Sequence, residues 1–219
     1  LKLVSANLGL QALTSPGRLK SVFQTLRKEL PCFLDLGVID QAGNHLAYVG
    51  PHDLISKNYK DSDWFKSVME KGVFISDVFL GFRNLPHFII AVKQAENGGS
   101  WVLRATVDAE YFNTLVSEVD GDRLGNAFLV NGKGILQTLP RVKGQIMGQS
   151  GLGELKPFKG IKVEERGGQM RAVIRLKNVP WLFVVQVDQD QLFSSLHRVR
   201  HIGIFIFLLG GILIVMTVL

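Results

Sequence analysis

Trp101–Val116 reads WVLRATVDAEYFNTLV, and eighty residues further on Trp181–Leu196 reads WLFVVQVDQDQLFSSL. In each stretch a Trp opens an apolar run that ends in Val-Asp, and apolar residues follow the Asp at four and eight positions: Phe112 and Val116, Leu192 and Leu196. The run predicts a buried strand, and the spacing after it predicts a helix. An Asp at the junction can accept hydrogen bonds from the first free N–H groups of that helix, and Gln191 stands where a capping-box partner of Asp188 would stand. A strand that feeds a helix thus occurs twice.

The chain also opens each unit alike. Leu36–Val49 and Ala127–Leu139 both place an apolar run, then Asp40 or Asn131, then Gly43 or Gly134, then a second apolar stretch. Asp or Asn opening a turn and Gly supplying positive φ are the chemistry of a β-hairpin. Hairpin, intervening segment, antiparallel strands and exit helix describe a PAS-like sheet module, present in tandem. Asp40 and Asp108 lie sixty-eight positions apart and Asn131 and Asp188 fifty-seven. The extra material of the first unit is where a pocket would be walled.

Before the first unit, Leu19, Val22, Phe23, Leu26 and Leu30 recur at helical spacing between the Ser15-Pro16-Gly17 break and Pro31. Leu1, Val4 and Leu8 mark a further helical stretch ahead of that break, expected to continue toward a first membrane span upstream. At the other end Ile202–Leu219, IGIFIFLLGGILIVMTVL, carries no charge and is apolar on every face. At about 1.5 Å per residue it covers ~27 Å, which predicts a transmembrane helix. Leu192, Leu196 and Val199 give the approach to it an apolar stripe. The expected fold is α+β: a long N-terminal helix (1–31), two antiparallel-sheet modules (32–117 and 118–190), then an exit helix and membrane segment (191–219).

Composition narrows the function. The 219 residues are 47% apolar and 20% charged, a globular balance. Net charge is +6, but the Lys and Arg are scattered without a basic block, so no nucleic-acid partner is expected. The single cysteine, Cys32, can form no internal disulfide. There is no HExxH, no GxSxG elbow and no phosphate loop around Gly148–Gly153. His197 and His201 share a helix face without a third ligand nearby, so they read as interfacial polar residues. No catalysis, metal or cofactor is expected in this region.

Three stretches carry a family resemblance: FLDLGVIDQAGNHLAYVGPHDLISKNYKDSDWF (Phe33–Phe65), GVFISDVFLGFRNLPHFIIAV (Gly72–Val92) and WVLRATVDAEYF (Trp101–Phe112). Here the chain resembles double Cache sensor domains, in particular those of transmembrane histidine kinases. The resemblance implies a membrane-distal module that binds a ligand, a membrane-proximal one that usually does not, a homodimer, and a cytoplasmic output. It places residues 1 to about 200 outside the cytoplasm, in the periplasm, with the last helix in the inner membrane. Chemoreceptor or diguanylate cyclase output stands as an alternative, as does a membrane-anchored protein-binding or dimerisation module.

Double Cache domains that bind amino acids use an Arg two residues before a Trp, a Tyr after it, and a later Tyr and Asp. Trp64 and Asp108 match, whereas Ser62, Phe65 and Phe79 stand in for the Arg and the two Tyr. Losing the guanidinium removes the planar fork that holds a carboxylate. The expected ligand is a small organic acid, amine or amino-acid-like solute. Tyr59, Trp64 and Phe79 are candidate walls, with Arg83, His87, Arg104 and Asp108 as the polar set. Core packing is the other reading of Trp64, helix capping of Asp108, surface exposure of Arg83, and a structural hydrogen bond of His87.

Overall fold

The two Trp-to-Asp runs become the strands β5 (Gly99–Asp108) and β9 (Trp181–Asp188) of a computed structural model that describes residues 1–81, 84–96, 98–120, 126–141, 144–177 and 179–189, the side chains of 118–120 and 166 excepted. Both strands lie inside their sheets. The first sheet has the order β2-β1-β5-β4-β3, with β1 Phe33–Asp40, β2 His45–Val49, β3 Val73–Ile75 and β4 His87–Glu96. The second has the order β6-β9-β8-β7, with β6 Asn126–Asn131, β7 Ile161–Arg166 and β8 Gln169–Arg175. Every pairing is antiparallel.

The sequence repeat is a repeat of register. Asp40 pairs with Trp101 and Asn131 with Trp181, so in each unit the turn-opening residue sits opposite the Trp that starts the last strand. Asp40 Oδ1 accepts the N–H groups of Ala42 and Asn44, both at 2.9 Å; Asn131 Oδ1 accepts those of Lys133 and Ile135, both at 3.0 Å. Gly43 and Gly134 take φ of 87° and 77°, where an L side chain is strained. The second hairpin is shorter than its sequence suggests: after Asn131 the return strand is reduced to isolated bridges, Val130 to Leu136 and Ile135 to Gln149.

The N-terminal helical region is divided. Helices α1 (Lys2–Thr14) and α2 (Arg18–Glu29) are separated by Ser15-Pro16-Gly17, where Ser15 is extended and Gly17 left-handed. Inside α1, Gly9 is itself non-helical (φ 61°, ψ 170°). The Leu10 N–H beyond that break is taken by Glu96 Oε2 at 2.8 Å, which also accepts Trp101 Nε1 at 3.2 Å. Gln94 donates to Ser5 Oγ at 2.8 Å. Three side-chain bonds thus tie α1 and the Trp of β5 to the β4–β5 hairpin.

Alternation along the strands sorts the first sheet into two faces. Leu36, Val38, Phe88, Trp101, Leu103, Ala105 and Val107 join Leu13, Leu19 and Phe23 of the two helices in the main core. Leu129 and Trp181 of the second unit belong to the same core, so the two sheets share it. Burying each such Leu, Val or Phe contributes roughly 1.5–3 kcal/mol. Cys32 is buried beside this layer, and burial raises its thiol pKa.

Helix α3 (Asp63–Lys71) covers the opposite face with Trp64, Phe65 and Val68. Helix α4 (Ala109–Asp120) leads to the second sheet, and its start is capped by Asp108 Oδ1, which accepts from Glu110 and Tyr111 at 2.8 and 3.1 Å. Among the described residues no helix is long and apolar enough to cross a membrane. The expected exit helix and membrane segment, with Leu192, Leu196, His197, Val199 and His201, lie outside the described residues.

Candidate binding site

The α3 face of the first sheet holds a charged pair. Arg104 on β5 stands between Gly37 of β1 and Ala91 of β4, its direct partners in the ladder. Two small neighbours leave lateral room for a guanidinium on a sheet surface. One Arg104 η nitrogen binds Asp35 Oδ1 at 2.6 Å and the other donates to Tyr59 Oη at 3.2 Å, while the guanidinium lies 5.2 Å from the Tyr59 ring centroid. Burial alone pulls the Arg104 pKa down; Asp35, with smaller help from Tyr59 and Tyr48, outweighs it and holds the pKa above its usual value. The Nε–H of Arg104 is buried without a hydrogen-bond partner.

Aromatic rings continue from this pair. His45 packs edge-on against Tyr48 and Tyr59, with centroids 5.2 and 5.3 Å apart, and Tyr59 packs at a tilt against Trp64 at 5.1 Å. Burial, then the neighbouring Arg104 charge, pushes the His45 pKa down to about 4 against weaker pulls from the Leu54 and Lys57 backbones and Asp35. Tyr59 is held in place because its N–H bonds the Gly43 carbonyl at 2.9 Å, so the hairpin turn sets one wall of the site.

Between these groups and the chain from β3 to β4 lies a cavity of about 720 Å³. That volume suits a small organic solute. Tyr59, Trp64, Phe79, His87 and Arg104, five of the seven residues expected from the sequence, line it. Trp64 and His87 each border the cavity while also making structural contacts. Trp64 is 8% exposed within the α3 cluster and also borders the cavity; His87 contacts the Leu85 carbonyl through Nδ1 at 2.7 Å and packs at a tilt against the Phe79 ring, centroids 4.5 Å apart. Asp108 does not line the cavity: it ends β5 opposite His87, and its carboxylate is turned to the α4 N–H groups. Arg83 lies outside the described residues.

Several lining residues were not singled out from the sequence: Leu54, Asp63, Phe74, Ser76, Asp77 and Ile89. Asp35, behind Arg104, was also missed, although a lone carboxylate inside the apolar run Phe33–Ile39 is a signal in itself. Ser62, where the resemblance would have an Arg, borders the cavity at the start of α3 and makes no capping bond there. Among the described residues no three His, Cys, Asp or Glu are gathered to hold a metal ion.

The wall formed by Ser76–Phe79 also touches the second unit. Asp77 Oδ1 accepts Trp181 Nε1 at 2.9 Å, Asp77 Oδ2 accepts Asn131 Nδ2 at 2.7 Å, and the Val78 N–H donates to Gln137 Oε1 at 2.7 Å.

The same architecture occurs in solved receptors. The chain has the fold of extracellular ligand-binding domains. The ligand-binding domain of the Pseudomonas aeruginosa PAO1 amino acid chemoreceptor PctB, in complex with L-Arg, superposes with a TM-score of 0.62 at 19% identity, covering 88% of this chain and 87% of that one. The extracellular domain of vpHK1S-Z8, described as a histidine kinase, gives 0.66 at 15% identity over 88% and 87%. An extracellular ligand binding receptor from Desulfohalobium retbaense DSM5692 gives 0.64 at 10% identity; it covers 80% of this chain, which spans 35% of the receptor chain. No protein-family profile and no curated protein matches the sequence. The expectation of a double Cache type of fold is thereby met, and the neighbours include domains of both histidine kinases and chemoreceptors.

Proposed function

We propose that this chain is the extracytoplasmic sensing portion of a transmembrane receptor, in which a small organic solute occupies the cavity of the first unit. The observation that carries the reading is that cavity, walled by Tyr59, Trp64 and Phe79 and bordered by the buried Arg104. Residues 32–117 form the ligand-binding module, 118–190 the membrane-proximal one, and 191–219 the exit helix and membrane span. His87 joins the binding groups, and the receptor acts as a homodimer in the inner membrane with its sensing units in the periplasm. The output is most consistent with a two-component histidine kinase. Chemoreceptor output is the second reading, favoured by the PctB likeness.

Binding needs only a difference in affinity between two arrangements of the walls to bias the segment after β9. The test is a thermal-shift screen of the full chain against organic acids, amines, amino acids and purines, because a ligand of the folded state raises the melting temperature by mass action. A hit should lose affinity in Trp64→Ala and keep it in Asp108→Asn. A hit indifferent to Trp64→Ala would place the site elsewhere.

A further inference from the structure

The cavity has an unequal charge balance. Arg104 and Asp35 neutralise each other across 2.6 Å, with side chains 4% and 0% exposed. Asp63 and Asp77 remain, both solvent-exposed members of the lining. The hydrogen-bond partners of Asp77, the Trp181 indole and the Asn131 amide, are neutral, so its charge is not cancelled by them. The described side chains facing a ligand therefore include two uncompensated carboxylates beside the rings of Tyr59, Trp64, Phe74, Phe79 and His87. Carboxylates and aromatic faces both attract cations. An anion would meet two like charges, and the described guanidinium is already engaged by a carboxylate.

Asp77 is also the one described carboxylate that both borders the cavity and bonds the second unit. Its two partners stand opposite each other in the β6–β9 ladder, Asn131 at the end of β6 and Trp181 at the start of β9. We infer that the cavity takes an organic cation of the ammonium type, and that engagement of Asp77 by this cation loosens its hold on Trp181 and Asn131 and so reports occupancy to β9. The inference rests on the ligand-binding reading above. The neighbouring Val78–Gln137 bond keeps the wall attached while Asp77 responds, so the signal is a shift at Trp181 rather than separation of the units.

Benzylammonium, benzyl alcohol and benzoate share a shape and differ in charge, and they serve as probes on the full chain in mild detergent. Benzylammonium should raise the melting temperature, benzoate should not, and added salt should weaken the effect because both carboxylates are exposed. Asp77→Asn should weaken benzylammonium binding roughly tenfold or more, the worth of a charge-assisted hydrogen bond. Hydrogen–deuterium exchange then reads the second step: benzylammonium should speed exchange in the peptide containing Trp181–Asp188. Asn131→Ala and Trp181→Phe leave the Asp77 carboxylate in place, so they should retain binding and lose that exchange response. Stabilisation by benzoate or benzyl alcohol in preference to benzylammonium would overturn the cation assignment while leaving a small-molecule site standing. Stabilisation by none of these, and by no compound of the wider screen, would overturn the ligand-binding reading and this inference with it. An exchange response unchanged in both Asn131→Ala and Trp181→Phe would overturn the role of Asp77.

Discussion

Arg104 and Asp35 are joined by a hydrogen-bonded ion pair of 2.6 Å between side chains 4% and 0% exposed. Taking two charges out of water is costly, and the arrangement persists because each cancels the other and Tyr59 and Tyr48 add bonds to the Arg and the Asp respectively. Asp35→Ala should leave a buried guanidinium uncompensated and destabilise the chain by about 3–5 kcal/mol. The double variant Asp35→Ala/Arg104→Met should recover most of that loss. Chemical denaturation of both checks the pair; equal destabilisation by single and double variants would mean that packing, not charge, is what Asp35 supplies.

The two hairpin turns should fail in parallel. A Cβ at Gly43 would lie 2.4 Å from the Lys60 backbone nitrogen, and one at Gly134 would lie 2.4 Å from the Gly153 carbonyl oxygen. With positive φ at both, each Gly→Ala change should cost more than about 1 kcal/mol. Gly43→Ala should also weaken ligand binding, because the Gly43 carbonyl holds the Tyr59 N–H, whereas Gly134→Ala should not. Melting temperatures and affinities of the two variants separate these effects.

This parallel was legible in the sequence, because the turn chemistry and the Trp-to-Asp spacing are local patterns. Tyr59, Trp64, Phe79, His87 and Arg104 line the cavity; three of them lie in the first unit's extra material, His87 opens β4 and Arg104 sits on β5. Asp35 was not paired with Arg104, since the register of β1 on β5 shifts between Phe33 and Asp35 and cannot be counted from periodicity. Asp77 escaped for another reason: its partners Asn131 and Trp181 are 54 and 104 residues away, and only the packing of one unit on the other brings them together. Asp108 shows the converse. A cap and a ligand contact need the same residue type, and the two backbone N–H groups of α4 hold this carboxylate.

His45 should make stability depend on pH. Its folded-state pKa is depressed to about 4 from an ordinary 6.5, so the unfolded chain binds the proton first. The contribution of the neutral ring is complete above pH 6.5 and is lost as pH falls toward 4. The groups around it, Arg104, Asp35, Tyr48 and Tyr59, are all retained in a His45→Gln variant. The wild-type chain should therefore lose on the order of 2 kcal/mol more than His45→Gln over this interval, discounted for the solvent that reaches a partly buried ring. Denaturation curves at a series of pH values measure the difference; superimposable pH profiles would contradict it.

Gln137 is 1% exposed and accepts the Val78 N–H across the boundary between the units. Gln137→Leu keeps the volume and removes the acceptor, leaving a buried N–H unsatisfied at a cost of about 1–3 kcal/mol. Exchange of the Val78 amide should quicken by more than exchange elsewhere in β3 and β4. Uniform acceleration across the whole first sheet would instead indicate global destabilisation.

The claim that the cavity of the first unit receives a small solute is tested most directly by calorimetric titration of the strongest thermal-shift hit into the full chain and into Ser62→Trp. Ser62 borders the cavity and makes no capping bond, so an indole there fills the space with little effect on α3. One site per chain in the wild type, abolished in Ser62→Trp at an unchanged melting temperature, is the result this structure predicts; equal affinity in the two proteins would contradict it.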